Sequence, residues 1–425
     1  MSPEGALAGK RVLVLDGNTR AALAVVRSLG RAKLDVSVAA PTKRSLAAVS
    51  RSARFSFCSP NPFAQSAAYR DWLLRLVDRL RPDFLLPVTN ISLELALSVE
   101  DELRTKTILP FVSRDTFERV ADKDRLIRLA NELGVKTPRT LLLRSESDLN
   151  LPELAGFTFP AVLKPLSSEL IVEEQEEVLR GKVYYLNSVE AVRETLRRDW
   201  AKFGHQLPYL LQERIEGHGL GVFILALNGE QLTYFSHRRL LEKPPSGGVS
   251  VLSESIEPPE EALKASMKLL EHLRWTGVAM VEFKETVGGT LFLMEINPRF
   301  WGSLQLAIDA GADFPRFLLE LFQSRTPLRG PELDSFKREL SPYVRGLRLR
   351  WSLGTVDHAL SLLRHSPIQA FASIFRRNSL QFLSSKRTTF ETFRRADPAP
   401  FFFELLVYLR DEIFRSLPRR FRRGN

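Results

Sequence analysis

Short apolar runs alternate with amphipathic stretches along the first hundred residues. Residues 10–16 (KRVLVLD) read as a buried strand, 17–20 as a turn and 21–29 as a helix that stops near Gly30. The same reading gives strands at 35–40 and 83–88 and helices at 69–80 and 91–103. Strand and helix taking turns predicts a parallel sheet with crossover helices. Further on, 121–133 has helical spacing, 157–165 is a strand carrying Lys164 near its end, and 209–216 is a strand followed by Gly217-His218-Gly219-Leu220-Gly221. Asn228-Gly229 joins strands 222–227 and 231–235, a strong hairpin signal. Pro258 and Pro259 introduce a helix that reaches Leu273, and a second hairpin pairs 278–287 with 290–297 across Gly288-Gly289.

That second hairpin carries the chemistry. If Val287 faces Thr290, counting back puts Glu282 opposite Glu295, with Cβ atoms roughly 5 Å apart. Side chains alternate along a strand, so Asn297 and Arg299 fall on the same side as Glu295. Facing carboxylates repel unless a cation lies between them. Mg²⁺ suits such a pair when water and phosphate oxygens complete its shell, and an arginine beside it grips phosphate. A solvent-facing hairpin with aligned acids is the alternative. Met280, Phe283, Phe292, Met294 and Ile296 argue against it, since a hairpin apolar on both faces is buried.

Length and charge narrow the class. At 425 residues, 44% hydrophobic and 26% charged, the chain accommodates two or three domains. A single cysteine, Cys58, excludes an intramolecular disulfide and a cysteine metal cluster, and it reads as a small buried hydrophobe. No run of about 18 apolar residues occurs, and the start lacks a leader's apolar core, so a cytoplasmic protein is expected. The net charge of +11 belongs to one end: 326–425 holds 19 Lys+Arg against 9 Asp+Glu, while 1–325 holds 42 against 41. A dinucleotide site after the first strand is disfavoured, because GNTR offers one glycine where that fingerprint needs three. Thr89-Asn90, just past a strand, sit where such sheets bind ligands.

The arrangement Glu282…Glu295-Ile296-Asn297-Pro298-Arg299 resembles the metal-binding end of the ATP-grasp superfamily, and FWGSLQLAIDAGADFP after it is similar to the carbamoyl-phosphate-synthase-like, carboxylate–amine ligase branch. The fold class this implies is α/β plus α+β: a parallel-sheet α/β domain at 1–120, a two-part ATP-grasp domain at 121–325 and a basic, mainly helical segment at 326–425. The resemblance makes Lys123, in the pair Asp122-Lys123, and Lys164, in FPAVLKP, the two nucleotide-phosphate lysines; from the residues alone, Lys123 reads as a surface lysine and Lys164 as one whose apolar strand calls for an anion. It makes QE-x-I-x-G the adenine linker, with Gln212, Glu213 and Ile215 against the base and Glu216 toward the ribose. His237-Arg238-Arg239 with PPSGGVS resembles the carboxylate- and phosphate-contacting region, two adjacent arginines forming an anion clamp in which Arg239, with Arg299, is assigned to catalysis. Metal ligands are then Glu282, Glu295 and Asn297, and cofactors ATP with Mg²⁺ or Mn²⁺. The family commonly covers the phosphates with a glycine-rich hairpin; here the chain offers Ser167-Ser168, the acidic run 173–177 and Gly181.

The activity implied is ATP-dependent joining of a small carboxylate to an amine through an acyl phosphate, with ADP and phosphate released. A non-catalytic ATP-binding scaffold or sensor, and a kinase releasing a phosphorylated product, share the same motifs. In the basic segment, Asp397-Pro398 reads as a helix start, and Phe401, Leu405, Leu409, Ile413 and Leu417, widened by Phe402, Leu406 and Phe414, form an amphipathic stripe. The helix is expected to dock on the core, with removal of 396–425 sparing the nucleotide site. Arg419-Arg420-Phe421-Arg422-Arg423 makes peripheral membrane contact a candidate, whereas no module for nucleic acid accompanies the charge.

Overall fold

The computed structural model describes residues 7–167, 170–172, 177–179, 181–203, 207–243, 248–323, 325–340, 342–365 and 387–416. The first domain is a parallel sheet of β1 (Arg11–Val14), β2 (Asp35–Ala40), β3 (Phe55–Cys58) and β4 (Phe84–Leu86) in the order β3-β2-β1-β4. Its crossovers are α1 (Arg20–Arg31) and α2 (Ser66–Leu80), and α3 (Asn90–Leu97), α4 (Glu100–Lys106) and α5 (Arg114–Ala121) follow. The stretch expected as one helix at 91–103 is therefore two. Glu100, Asp101 and Glu102 suit the positive end of a new helix better than the middle of an old one. Cys58, expected inside, is exposed on the edge strand β3.

Asp122 caps α6 (Lys123–Glu132), its carboxylate accepting from the amides of Asp124 and Arg125. An antiparallel sheet then forms from β5 (Thr140–Leu143), β6 (Ala161–Pro165), β9 (Tyr184–Leu186) and β10 (Tyr209–Glu213), in the order β5-β10-β6-β9. The short helix α7 (Pro152–Ala155) and α8 (Val189–Phe203) accompany it. Between β6 and β9, β7 (Leu170–Val172) and β8 (Glu177–Leu179) make a separate antiparallel pair. The expected phosphate cover falls at this pair; Ser168 and residues 173–176 lie outside the described residues.

The largest sheet runs β15-β14-β11-β12-β13-β16-β17. Its strands are β11 (His218–Leu227), β12 (Glu230–Lys243), β13 (Val249–Ser255), β14 (Gly277–Glu285), β15 (Leu291–Asn297), β16 (Arg348–Arg350) and β17 (Thr388–Phe390). Asn228 and Gly229 both take positive φ, as a two-residue hairpin turn demands. Helices α9 (Glu260–His272), α10 (Leu304–Asp309), α11 (Phe314–Leu321), α12 (Gly330–Glu339), α13 (Ser352–His365) and α14 (Ala399–Ser416) complete the described elements. The C-terminal segment thus adds two strands to the sheet as well as helices.

Two hydrophobic cores result. One runs unbroken from the parallel sheet through α1 and α11 to the seven-stranded sheet; the other, built on Leu163, Trp200, Tyr209 and Leu211, lies under the four-stranded sheet. Residues 214–217 join the two, and Gly217 is needed there because a Cβ would lie 2.1 Å from the carbonyl oxygen of Glu285. Asp397 does not cap a helix as expected. Its carboxylate is taken by Arg27 of α1 at 2.8 Å, by the Ser50 hydroxyl at 2.7 Å and by the amide of Arg51, and α14 starts two residues later. No described helix is long and apolar enough to cross a membrane.

Candidate functional site

Glu282 of β14 stands directly opposite Glu295 of β15, as the register requires. The route differs from expectation. Thr286 faces Thr290 across a three-residue loop in which Gly289 has φ +78°, and an irregularity between Glu282 and Phe283 then restores the pairing. Asn297 donates to Glu295 Oε1 at 2.8 Å, and its own oxygen accepts from Arg299 at 3.1 Å. Arg299 also reaches Asn90 Oδ1 at 2.6 Å, which ties the hairpin to the start of α3. Arg239 of β12 donates to Glu282 at 2.7 Å and to Glu242 at 3.2 Å.

Alternation along β12 separates the two adjacent arginines. Arg238 pairs with Glu254 on the other face, so the expected two-arginine clamp does not form and Arg239 shares its side with His237. Residues 244–247 of the following loop lie outside the described residues, and Gly248 accepts from Arg239.

Lys164 arrives from the other core. In the β6–β10 ladder it pairs with Leu210, and Val162 pairs with Gln212, so these four share one face while Ala161, Leu163 and Leu211 fill the core beneath. Burial and the neighbouring Lys123 lower the Lys164 ammonium to about 8, against the pull of Glu295 and Glu282. Lys123 is buried, its ammonium donating to the Leu166 carbonyl at 3.3 Å. It is not the surface lysine that the residues alone give. Burial pushes Glu282 up, with Arg239 opposing and Glu295 adding to the rise. Burial acts on Glu295 too, but Lys123, the Asn297 amide, Lys164 and Arg299 outweigh it and hold that carboxyl below its ordinary value.

Three carboxylates, Glu282, Glu295 and Glu242, therefore meet four cations, a surplus of positive charge that suits an anion. Among the described residues no three His, Cys, Asp or Glu gather as a metal cluster. The pair fits one hard divalent cation whose shell is filled by water and phosphate oxygens, with Glu282 and Glu295 as ligands. Asn297 would offer its oxygen only after the amide turns from its present hydrogen bonds.

The expected linker residues lie apart from this cluster, where the two sheets join. Gln212 is buried and donates to Thr140 at 3.0 Å; Glu213 accepts from the Arg139 amide at 3.4 Å. Ile215 is buried, and Glu216 is exposed, 3.9 Å from Arg214.

A cavity of about 1100 Å³ adjoins the carboxylate pair. The parallel-sheet domain contributes Asn18, Thr19 and Arg20 at the start of α1 and Thr89-Asn90 at the start of α3. Asp16 organises this wall, accepting from the amides of Val88 and Thr89 at 2.9 Å each. From the large sheet and its continuation come His237, Arg239, Glu282, Glu295, Asn297, Arg299 and Trp301, and from the C-terminal segment Trp351, Phe403, Glu404 and Val407. His237 is buried, its Nδ1 3.2 Å from the Ser303 hydroxyl; burial and Arg239 lower it to about 3, so the ring is neutral near pH 7. Among the described residues its Nε2, Trp301 Nε1 and Glu404 Oε2, all buried, have no hydrogen-bond partner. Trp351 and Glu404 carry no motif and are brought in by the tertiary fold alone.

A family model described as ATP-grasp in the biosynthetic pathway with Ter operon matches residues 205–338. D-aspartate ligase of Enterococcus faecium (strain Aus0004) is 25% identical over 275 residues, which is 61% of this chain and 64% of that protein, so less than two thirds of that relative is spanned. Among solved structures, L-amino acid ligase from Bacillus licheniformis superimposes with a TM-score of 0.58 at 16% identity, covering 79% of this chain and 78% of that one. N5-carboxyaminoimidazole synthetase from Staphylococcus aureus, complexed with ADP, gives 0.58 at 13% identity over 76% of this chain and 80% of that one.

Proposed function

The chain belongs to the ATP-grasp superfamily, and on that footing we propose that it is an ATP-dependent ligase joining a small carboxylate to an amine. The observation that carries this reading is the Glu282–Glu295 pair, faced by Lys123 and Lys164 and opening through Arg299 into a cavity large enough for a small acceptor. Relatives named for ligating amino acids support an amino acid as one substrate.

A carboxylate oxygen of the acceptor attacks the γ-phosphorus of ATP, the bond from that phosphorus to the β–γ bridging oxygen breaks, and ADP leaves. The amine nitrogen then attacks the acyl carbon, the carbon–oxygen bond to phosphate breaks, and the nitrogen loses a proton as the amide forms. A divalent cation, Mg²⁺ or Mn²⁺, when bound at Glu282 and Glu295, neutralises phosphate charge. Lys123 and Lys164 hold nucleotide phosphate oxygens, Arg299 orients the group in transfer, and Arg239 favours the charged form of Glu282 through its short ion pair, against the effect of burial. Gln212, Glu213, Ile215 and Glu216 border the adenine end. His237, neutral at working pH, serves as a hydrogen-bonding wall and not as a proton store.

The test is ADP and phosphate release from purified protein with MgATP against pooled carboxylates and amines, beside Glu295→Gln. Release should depend on one pool and fall by about a hundredfold or more in the variant. Release that ignores the acceptor, or that survives the substitution, contradicts the reading; ATP binding without turnover in any pool favours the scaffold.

A further inference from the structure

α14 has two unlike sides. Glu404 accepts from Trp351 Nε1 at 2.9 Å and Tyr408 donates to Asp357 of α13 at 2.8 Å, so this side is fixed to the body of the protein. Phe403 and Val407 turn toward the cavity. The opposite side presents Phe402, Leu406 and Leu409, exposed by 54%, 67% and 47%. Their spacing of four and then three residues lines them up as one stripe. α13, held alongside, exposes Val356 and Leu360 one turn apart. Single exposed hydrophobes are ordinary, but a stripe of Phe and Leu along one helix is not. The sequence pattern of α14 is amphipathic, yet much of its apolar side faces away from the protein.

We propose that this face of α14 is a docking surface for an anionic lipid bilayer. Charge decides among the occupants. The nine residues that follow the helix, 417–425, carry four arginines and no acid, and the whole segment 326–425 holds 19 Lys+Arg against 9 Asp+Glu. A second copy of the chain would set like charge against like charge. Nucleic acid would use the arginines and leave the Phe/Leu stripe in water. A membrane of acidic lipids takes both, the stripe lying in the headgroup–acyl boundary and the arginines against the phosphates. The cavity wall formed by Phe403 and Val407 then sits on the same helix as the lipid contact.

The full chain is sedimented with vesicles of phosphatidylcholine, with and without about one third phosphatidylglycerol, at low and high salt. It should partition into the acidic vesicles at least about tenfold better than into the neutral ones, and salt should weaken the association. Phe402→Glu with Leu406→Glu should lower partitioning by about tenfold with unchanged circular dichroism. Replacing Arg419, Arg420, Arg422 and Arg423 by Gln should remove the preference for acidic lipid, a readout that does not depend on the helix substitutions folding. Equal partitioning into both vesicles, or none, overturns the proposal. So does concentration-dependent dimerisation abolished by the Phe402/Leu406 change, or retention on a DNA duplex without retention on acidic vesicles.

Discussion

Lys164 lies on a strand where its neighbours Leu163 and Ala161 fill a core, and its ammonium faces Lys123 and two carboxylates. Burial brings it from 10.5 to about 8. Between those values the unfolded chain holds a proton that the folded apo-protein has released, so this group's share of stability rises with pH across that window. Bound phosphates draw the proton back. MgATP binding near pH 9 should therefore take up a proton, and affinity should weaken by up to about tenfold per pH unit above 8. Calorimetry in two buffers of different ionisation heat reads this directly; Lys164→Gln should abolish the uptake, and no uptake by the unsubstituted protein would contradict the assignment. Lys164 was legible because a lysine on an apolar strand demands an anion. His237 was not, since its neutral, buried state depends on packing against Phe223 with ring centroids 4.8 Å apart and on Arg239 beside it.

The β14–β15 hairpin shows how an element can be read correctly by a wrong route. A two-residue turn was expected; the loop has three residues, and the irregularity beyond Phe283 shifts the register back so that Glu282 meets Glu295 after all. Binary pattern fixes which face each glutamate takes, and turn type alone does not. The C-terminal helix is legible from its period and docks on the body of the protein through Phe403, Glu404 and Tyr408, but the period does not say which apolar residues stay outside. Phe402, Leu406 and Leu409 are exposed, Leu406 by 67%. Asp397 was read as a cap from its local sequence, whereas its partner Arg27 is 370 residues away and no local rule reaches that far. Asp397→Ala leaves Arg27 buried without its counter-ion and should cost about 3–5 kcal/mol by denaturant unfolding. A loss under about 1 kcal/mol would mean that the pair is dispensable.

Across the whole molecule, two cores meet at a cleft, one bearing Lys164 and the other the carboxylate pair, and the chain crosses between them twice, at 136–139 and at 214–217. The parallel sheet and the hairpins follow from the sequence pattern. That one core unites the parallel sheet with the large sheet does not, because it rests on contacts such as α1 against α10 and α11, which join residues nearly 300 positions apart. The tail, whose removal is expected to spare the nucleotide site, supplies Glu404 and Val407 to the cavity and Asp397 to α1. Removing 396–425 should therefore lower the thermal midpoint and raise the acceptor KM, while MgATP still binds, since none of Lys123, Lys164, Glu282 or Glu295 is lost; loss of nucleotide binding by calorimetry would place the tail in the ATP site itself. The central claim is that a carboxylate is activated by phosphoryl transfer before an amine attacks. It is tested most directly by supplying the active pool with ¹⁸O-labelled carboxylates and analysing the released phosphate by mass spectrometry. One ¹⁸O per phosphate, appearing with ADP and absent in Glu295→Gln, is the predicted result; amide product accompanied by wholly unlabelled phosphate would contradict it.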